Sequence, residues 1–365
     1  MLRILEMTYA DLAAFFSEQY GKGSFLAAAL YREFYKSLNP RAWTAEVICR
    51  SPGLAACLER DWQVNPGRVI DEIEAEGVVK FITELDDGHC IESVIIAMAT
   101  HRTVCVSSQV GCRMGCRFCE TAQMGFVRDL TVQEITGQVY AARRRFGESI
   151  RNVVFMGMGE PLDNFDAVAK AVRVLSDQRG LDVALRRITL STAGLIQGIE
   201  RMATLNMPGL NLAVSLNSAD NAQRTRLMPI NRSNPLRALQ KILLKVSKRQ
   251  GPGIMINYVL IPGINDGRDC AQRLSSWLSP LRARVNLIPF NPGPDKKAGD
   301  QEIGSQEIRA HELRAPDQAE ISVFREHLIQ RGVNVQQRYP RGRGLMAACG
   351  QLGRCEPAEE APRHP

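Results

Sequence analysis

Apolar residues along the chain fall into three regimes of spacing, and each marks a different kind of structure. Over residues 7–60 they recur at helical spacing. Tyr9, Leu12, Phe15 and Phe16 share one face, and Leu26, Leu30, Phe34 and Tyr35 repeat the pattern after Gly21 and Gly23. Residues 68–98 switch to short β-like runs, VVKFITEL and CIESVIIAM, around the turn Asp86-Asp87-Gly88, which predicts a small hairpin module. From about residue 101 strands and helices alternate. The strand patterns are TVCVSS, NVVFMGMG, RITLSTAG, LNLAVSLN, MINYVLIPG and RVNLIPFNP. Between them run helical periods. One starts at Thr131, where Glu134 completes a capping box, and others cover 167–175, 236–246 and 270–281.

Nearly continuous apolar strands joined by helices predict a parallel sheet covered by helices. Six β–α repeats fall two short of a closed eightfold barrel, so the expected fold class is α/β, an open partial (β/α)6 barrel. Ligands in such folds bind at the carboxyl ends of the strands. A helix over 315–331, a strand VNVQQRY, and a Gly/Arg-rich segment RGRGLMAACGQLGRC follow, and the final EPAEEAPRHP has the composition of a disordered end. The expected division is 1–66 helical, 67–98 small β module, 99–340 barrel and 341–365 tail.

Composition narrows the class. At 365 residues and 45% hydrophobic content the chain can bury a large core. No apolar run approaches the ~20 residues that cross a bilayer, and MLRILEMTYADLAAFF lacks a signal-peptide pattern. Ten cysteines spread over so long a chain do not read as a disulfide framework. A cytoplasmic protein with no membrane association is expected. The net charge of +7 suits a phosphate-rich partner without requiring one.

The cysteines supply the chemistry. Cys112, Cys116 and Cys119 stand in GCRMGCRFCETAQ with C-x3-C-x2-C spacing. Three thiolates from one loop can hold three corners of a cubane iron–sulfur cluster and leave the fourth iron open to a small molecule, whereas clusters that only carry electrons usually have four cysteines. The competing reading, a zinc knuckle, needs a fourth Cys or His ligand. His101 and Cys105 precede the loop at unsuitable spacing.

With C-x3-C-x2-C after a first strand and GMGEP after a second, the chain resembles the radical S-adenosylmethionine (SAM) superfamily. VCVSSQVGC, FMGMGEPLDN, TLSTAG, LMPIN, NLIPFNP and AACGQL, in that order, resemble the RlmN/Cfr-type dual-specificity RNA methyltransferases over about three quarters of the chain. The resemblance implies a radical SAM barrel with one 4Fe-4S cluster per chain on Cys112, Cys116 and Cys119, and two SAM molecules per turnover. It implies SAM contacts from Gly159 and Glu160, from Ser191, from Ser215, Leu216 and Asn217, and from Asn291, all at strand ends. The cofactor would do the difficult bond cleavage and the protein would orient it.

The resemblance further implies that Cys349, in AACGQL, accepts a methyl group before the base does, and that Cys105 later attacks its sulfur to form a transient disulfide. Glu92 matches the position of a proposed proton acceptor. The implied substrate is an adenosine of 23S rRNA or tRNA, methylated at carbon 2 rather than carbon 8. The amino-terminal helices would dock the RNA, a flavodoxin or ferredoxin would donate electrons, and the chain would act as a monomer. Arg143–Arg145, Arg186 and Arg187, and Arg338, Arg341 and Arg343 are candidate phosphate contacts. The sequence departs from the family pattern at Leu345, where an acid is usual, at Asn217, where a histidine is usual, and in GSFLAA, where an Arg-containing motif is usual. Two other classes stay open: a radical SAM enzyme with a protein or metabolite substrate, and a non-catalytic cluster-bearing RNA-binding protein. Cys49, Cys57, Cys90 and Cys270 read as small core residues, and Cys355 as a spare tail thiol.

Overall fold

The structure, a computed structural model, describes residues 1–247, 253–293, 313–338, 346–348 and 350–353. Cys349, Cys355, Arg341, Arg343 and Leu345 lie outside the described residues. Four helices open the chain: α1 (Tyr9–Tyr20), α2 (Ser24–Tyr35), α3 (Glu46–Cys49) and α4 (Pro52–Asp61). Thr8 and Asp11 form a capping box at the start of α1, and Gly21 ends that helix in the left-handed region.

A ten-stranded sheet follows. Its strands are β1 (Arg68–Ala75), β2 (Val78–Glu84), β3 (Cys90–Ala97), β4 (Arg102–Cys105), β7 (Ile150–Phe155), β8 (Ile188–Thr192), β9 (Asn211–Ser215), β10 (Ile254–Leu260), β11 (Ala283–Pro289) and β12 (Val335–Gln337), in that spatial order. Strands β1 to β4 pair antiparallel, and from β4 onward every pairing is parallel. The fold is therefore α/β with a central parallel sheet. Among the described residues, strands β1 and β12 stand at opposite edges and the sheet is open. The hairpin module is not a separate sheet, because β3 pairs with β4 and carries the hairpin onto the barrel edge. A second, two-stranded sheet of β5 (Gln109–Gly111) and β6 (Phe126–Asp129) brackets the cysteine loop and α5 (Glu120–Gln123).

The helices of the barrel are α6 (Val132–Phe146), α7 (Phe165–Ser176), α8 (Ile196–Thr204), α9 (Asn221–Leu227), α10 (Leu236–Ser247), α11 (Arg268–Leu278) and α12 (Gln318–Ile329). Helix α6 starts with the expected box: Thr131 N–H donates to Glu134 Oε2 at 2.8 Å and Glu134 N–H to Thr131 Oγ1 at 3.2 Å. The amino-terminal helices pack on α6 and α7. Phe34 stacks on Tyr140 with centroids 4.5 Å apart, Thr136 Oγ1 donates to Leu5 O, and Tyr9 N–H donates to Asp177 Oδ2. Arg128 of β6 binds both Asp87 in the hairpin turn and Glu134 on α6, so turn, strand and helix are held together. The apolar stripe of the first helices is thus buried against the barrel, as Leu12, Phe16, Leu30 and Phe34 show by being fully inaccessible.

Candidate active site

The cysteine loop leaves β5 through Gly111, whose φ is +75° and whose Cα lies too close to Gly125 O to carry a side chain. Cys112 N–H donates to Gly125 O at 2.8 Å, Arg117 N–H to Leu227 O at 3.0 Å and Cys119 N–H to Cys116 O at 3.2 Å. These bonds fix the loop between β6 and α9. The three thiols line one cavity of about 160 Å³ together with Gly159, Glu160, Ser191 and Ser215. All four of those residues come from the carboxyl ends of β7, β8 and β9 or the loop just beyond.

Among the described residues no three acidic, histidine or cysteine groups converge on one point as the ligands of a single metal ion do. A cubane asks for something else, because each thiolate binds a different iron and the sulfurs stand around the cluster. Burial pushes the Cys112 thiol up to about 12, with neighbouring Cys119 adding to it, and raises Cys116 and Cys119 as well. Buried thiols facing one another need a positive centre to become thiolates. The donor set and the cavity fit a cluster on these three cysteines.

Glu160 is 3% exposed, with Oε1 accepting from Leu162 N–H at 3.1 Å and Oε2 from Ala193 N–H at 2.7 Å. Burial raises its pKa to about 7 against the pull of those bonds. Its own N–H donates to Gln109 Oε1, and Gln109 Nε2 reaches Asp129 and Asp163. Gly159, at φ +96°, lets the chain pass Gln109, since an added Cβ would sit 2.6 Å from Gln109 Cβ. A buried carboxylate beside a backbone free of side-chain bulk can receive an ammonium group. Ser191 Oγ accepts from Asn257 Nδ2 at 3.4 Å, and Asn286 Nδ2 donates to Asn257 Oδ1 at 3.0 Å.

Leu216, Asn217 and Asn291 stand apart from this group. Leu216 and Asn217 are fully buried and do not line the cavity. Asn217 has φ +58°; its Oδ1 accepts from Val259 N–H at 2.8 Å, its Nδ2 donates to Met228 Sδ, and its carbonyl accepts from Asn265 Nδ2. These bonds tie the end of β9 to β10 and α9. Asn291 lines a second cavity.

That second cavity, of about 540 Å³, lies in the barrel interior and runs from the amino-terminal ends of β8, β9 and β10 to Cys105 and Asn291 at the carboxyl ends of β4 and β11. Cys105, 8% exposed at the end of β4, lines it. Its rim carries Arg186, Arg187, Arg284 and Arg338, and among the described residues no carboxylate is ion-paired with any of them. Amide side chains of Asn152, Asn211, Asn286 and Gln337 also line it, and Gln337 Nε2 is buried with no hydrogen-bond partner among the described residues. Met156, Ile288 and Leu352 line both cavities and form the partition between them. Arg143 and Arg145 are committed elsewhere: Arg143 donates to Leu181 O and Arg145 pairs with Glu72.

Glu92 on β3 is fully buried and ion-paired to Lys80 on β2 at 2.9 Å. Lys80, Gln109, Asn257 and Arg224 are functional candidates that the sequence does not single out. Gln109 lies inside the CVSSQVGC run, so its neighbourhood is marked; nothing in residue type or spacing marks the other three.

The Radical SAM superfamily model matches residues 106–271, a span that begins just after β4 and ends in α11. A probable dual-specificity RNA methyltransferase RlmN 1 of Protochlamydia amoebophila is 36% identical over 99% of this chain and 96% of its own length. The dual-specificity RNA methyltransferase RlmN of Geotalea uraniireducens is 38% identical over 97% of this chain and 98% of its own. The chain belongs to the RlmN family of radical SAM RNA methyltransferases. A solved radical SAM methyltransferase from Sphaerobacter thermophilus superposes with a TM-score of 0.87 at 33% identity, covering 98% of this chain and all of that one. RlmN-family membership implies a 4Fe-4S cluster and SAM, in keeping with the three-thiol cavity. Among the described residues no helix is long and apolar enough to cross a membrane.

Proposed function

We propose that this protein methylates carbon 2, rather than carbon 8, of an adenosine in 23S rRNA or tRNA, using Cys349 as methyl carrier. The reading rests on one relationship. Ala348 lines the arginine-rimmed cavity and Gly350 lines the cysteine-loop cavity, and the single residue joining them in sequence is Cys349. A carrier must meet SAM on one side and the base on the other.

One cluster on Cys112, Cys116 and Cys119 and two SAM molecules per turnover would supply a methyl group and a carbon radical. The remaining work belongs to the chain. Glu160, held in place by Gln109 and the Ala193 N–H, would receive the SAM ammonium. Ser191 and Ser215 offer polar groups at the ends of β8 and β9. Cys105 faces the cavity the base would occupy. Once the adduct has given up the ring-carbon proton, and one electron to the redox partner, the Cys105 thiolate would attack Cys349 sulfur: the S–S bond forms as the bond from that sulfur to the base's new methylene carbon breaks, and the electron pair left on that carbon takes up a proton to complete the methyl group. Arg186, Arg187, Arg284 and Arg338 grip phosphates around an adenosine that has left its stack, and the amides inside suit the edge of adenine. The amino-terminal helices extend the RNA-docking surface. The electrons come from a flavodoxin or ferredoxin, and one chain suffices.

Nucleoside mass spectrometry of rRNA and tRNA from cells with and without the gene tests the reading. A 2-methyladenosine present only with the gene is expected. An unchanged nucleoside profile overturns the assignment.

A further inference from the structure

We infer that Lys80 and Glu92 are positioning residues that form a buried seat for residues 350–353, the stretch that directly follows Cys349 in sequence. This rests on the proposed role of Cys349 and adds residues to which that proposal assigns no holding function.

The two side chains are a closed pair. Lys80 is 4% exposed and Glu92 fully buried, with Nζ to Oε1 at 2.9 Å. The other carboxylate oxygen accepts from Gly353 N–H at 2.9 Å, across 261 positions of sequence. A charged acceptor makes that bond stronger than a neutral one would. Glu92 alternates along β3 with Val94 and Ile96, which line the arginine-rimmed cavity, so all three share the inward face. The seat is therefore part of the barrel wall.

The neighbouring bonds continue the same contact. Thr121 Oγ1 donates to Leu352 O at 2.6 Å, and Glu120 N–H to Gly350 O at 2.8 Å. Gln351 Nε2 donates to Pro292 O at 2.8 Å. Gly353 has φ +138°, and an added Cβ would lie 2.6 Å from Met124 Sδ. The segment thus threads between the cysteine-loop helix α5 and strand β3, and among the described residues its one ionic anchor is Glu92. An ion pair buried this completely is costly to assemble, and among the described residues the backbone donor it satisfies belongs to the tail.

Hydrogen–deuterium exchange on the reconstituted holoenzyme, without RNA and without turnover, tests this. The double variant Lys80→Met with Glu92→Leu removes both charges together, which buried pairs tolerate. Peptides covering 346–353 are expected to exchange about tenfold faster or more, the equivalent of losing one charge-assisted hydrogen bond, while β2 and β3 keep wild-type protection. Glu92→Gln, which retains an acceptor oxygen, is expected to fall between the two. Wild-type exchange of 346–353 in the double variant overturns the inference. So does a Glu92→Gln protein whose tail is as loose as that of the double variant. Because no methyl transfer is read, either result is independent of whether Cys349 carries the methyl group.

Discussion

Glu160 and Arg224 hold the two sides of one residue: Glu160 Oε2 accepts the Ala193 N–H at 2.7 Å, and Arg224 Nη2 donates to the Ala193 carbonyl at 2.7 Å. Arg224 is fully buried with neutral acceptors around it, including Leu216 O, Ser215 O and Asn231 Oδ1. Burial lowers its pKa to about 10, and Cys116 is the nearby group that opposes the shift. A carboxylate and a guanidinium so close to the cysteine loop fix the ends of β8 and β9 where the cavity forms.

Replacing Arg224 with Met should destabilise the protein by at least ~2 kcal/mol, since several buried carbonyls lose their donor together. Urea denaturation of the metal-free protein measures this. Arg224→Lys should recover only part of the loss, because an ammonium cannot reach all the acceptors of a planar fork. Equal stability of Arg224→Met and wild type would show that the carbonyls find other donors.

Glu160 gives the metal-free protein a pH dependence. Its folded pKa, about 7, lies above the ordinary 4.5, so the folded state binds the proton more tightly than the unfolded state. That stabilisation is complete below about 4.5 and declines as pH rises toward 7, by on the order of 3 kcal/mol. Glu160→Gln should flatten this part of the stability profile. Thermal melts of both proteins at several pH values between 4.5 and 8 distinguish the outcomes, and parallel profiles would count against the buried, proton-binding carboxyl.

Gly159→Ala should cost ~1–3 kcal/mol and weaken SAM binding. It forces a side chain into a left-handed backbone and against Gln109, whose Oε1 holds Glu160 N–H. Calorimetric titration of SAM into the reconstituted enzyme reads the second effect. Unaltered affinity would mean that Glu160 does not depend on this packing.

Charge reversal at the rim, Arg186→Glu with Arg187→Glu, should reduce RNA affinity and lower the salt slope of log K by roughly 0.7 for each phosphate left without its arginine. Filter binding over a range of salt concentrations provides both numbers. The same reversal at Arg143 and Arg145 should do less, as those side chains already serve Leu181 and Glu72.

What could be read from the chain was local. The Thr131–Glu134 box is written in four adjacent residues, and the structure contains it. Six apolar strands between helical periods were enough to expect the parallel sheet, because burial on both faces leaves its mark on every position. The two-stranded sheet around the cysteine loop was not legible. Strands of three and four residues are too short to show a period, and α5 lies between them. Asn217 illustrates the opposite limit. The resemblance implies a SAM contact at its position; in the structure its amide bonds Val259 N–H and Met228 Sδ, contacts that no local pattern announces.

By itself the sequence determined the class of chemistry and the fold that carries it, since the spacing of three cysteines and the rhythm of strand and helix survive translation into one dimension. Only the tertiary structure decided which polar groups meet. Lys80, Glu92 and Gly353 are separated by as many as 273 positions, yet they share two bonds in the barrel wall. The partition of the interior into a thiol-lined and an arginine-rimmed cavity likewise comes from Met156, Ile288 and Leu352, three ordinary apolar residues. Contacts between distant segments depend on how whole elements pack, and no local pattern of residues encodes that packing.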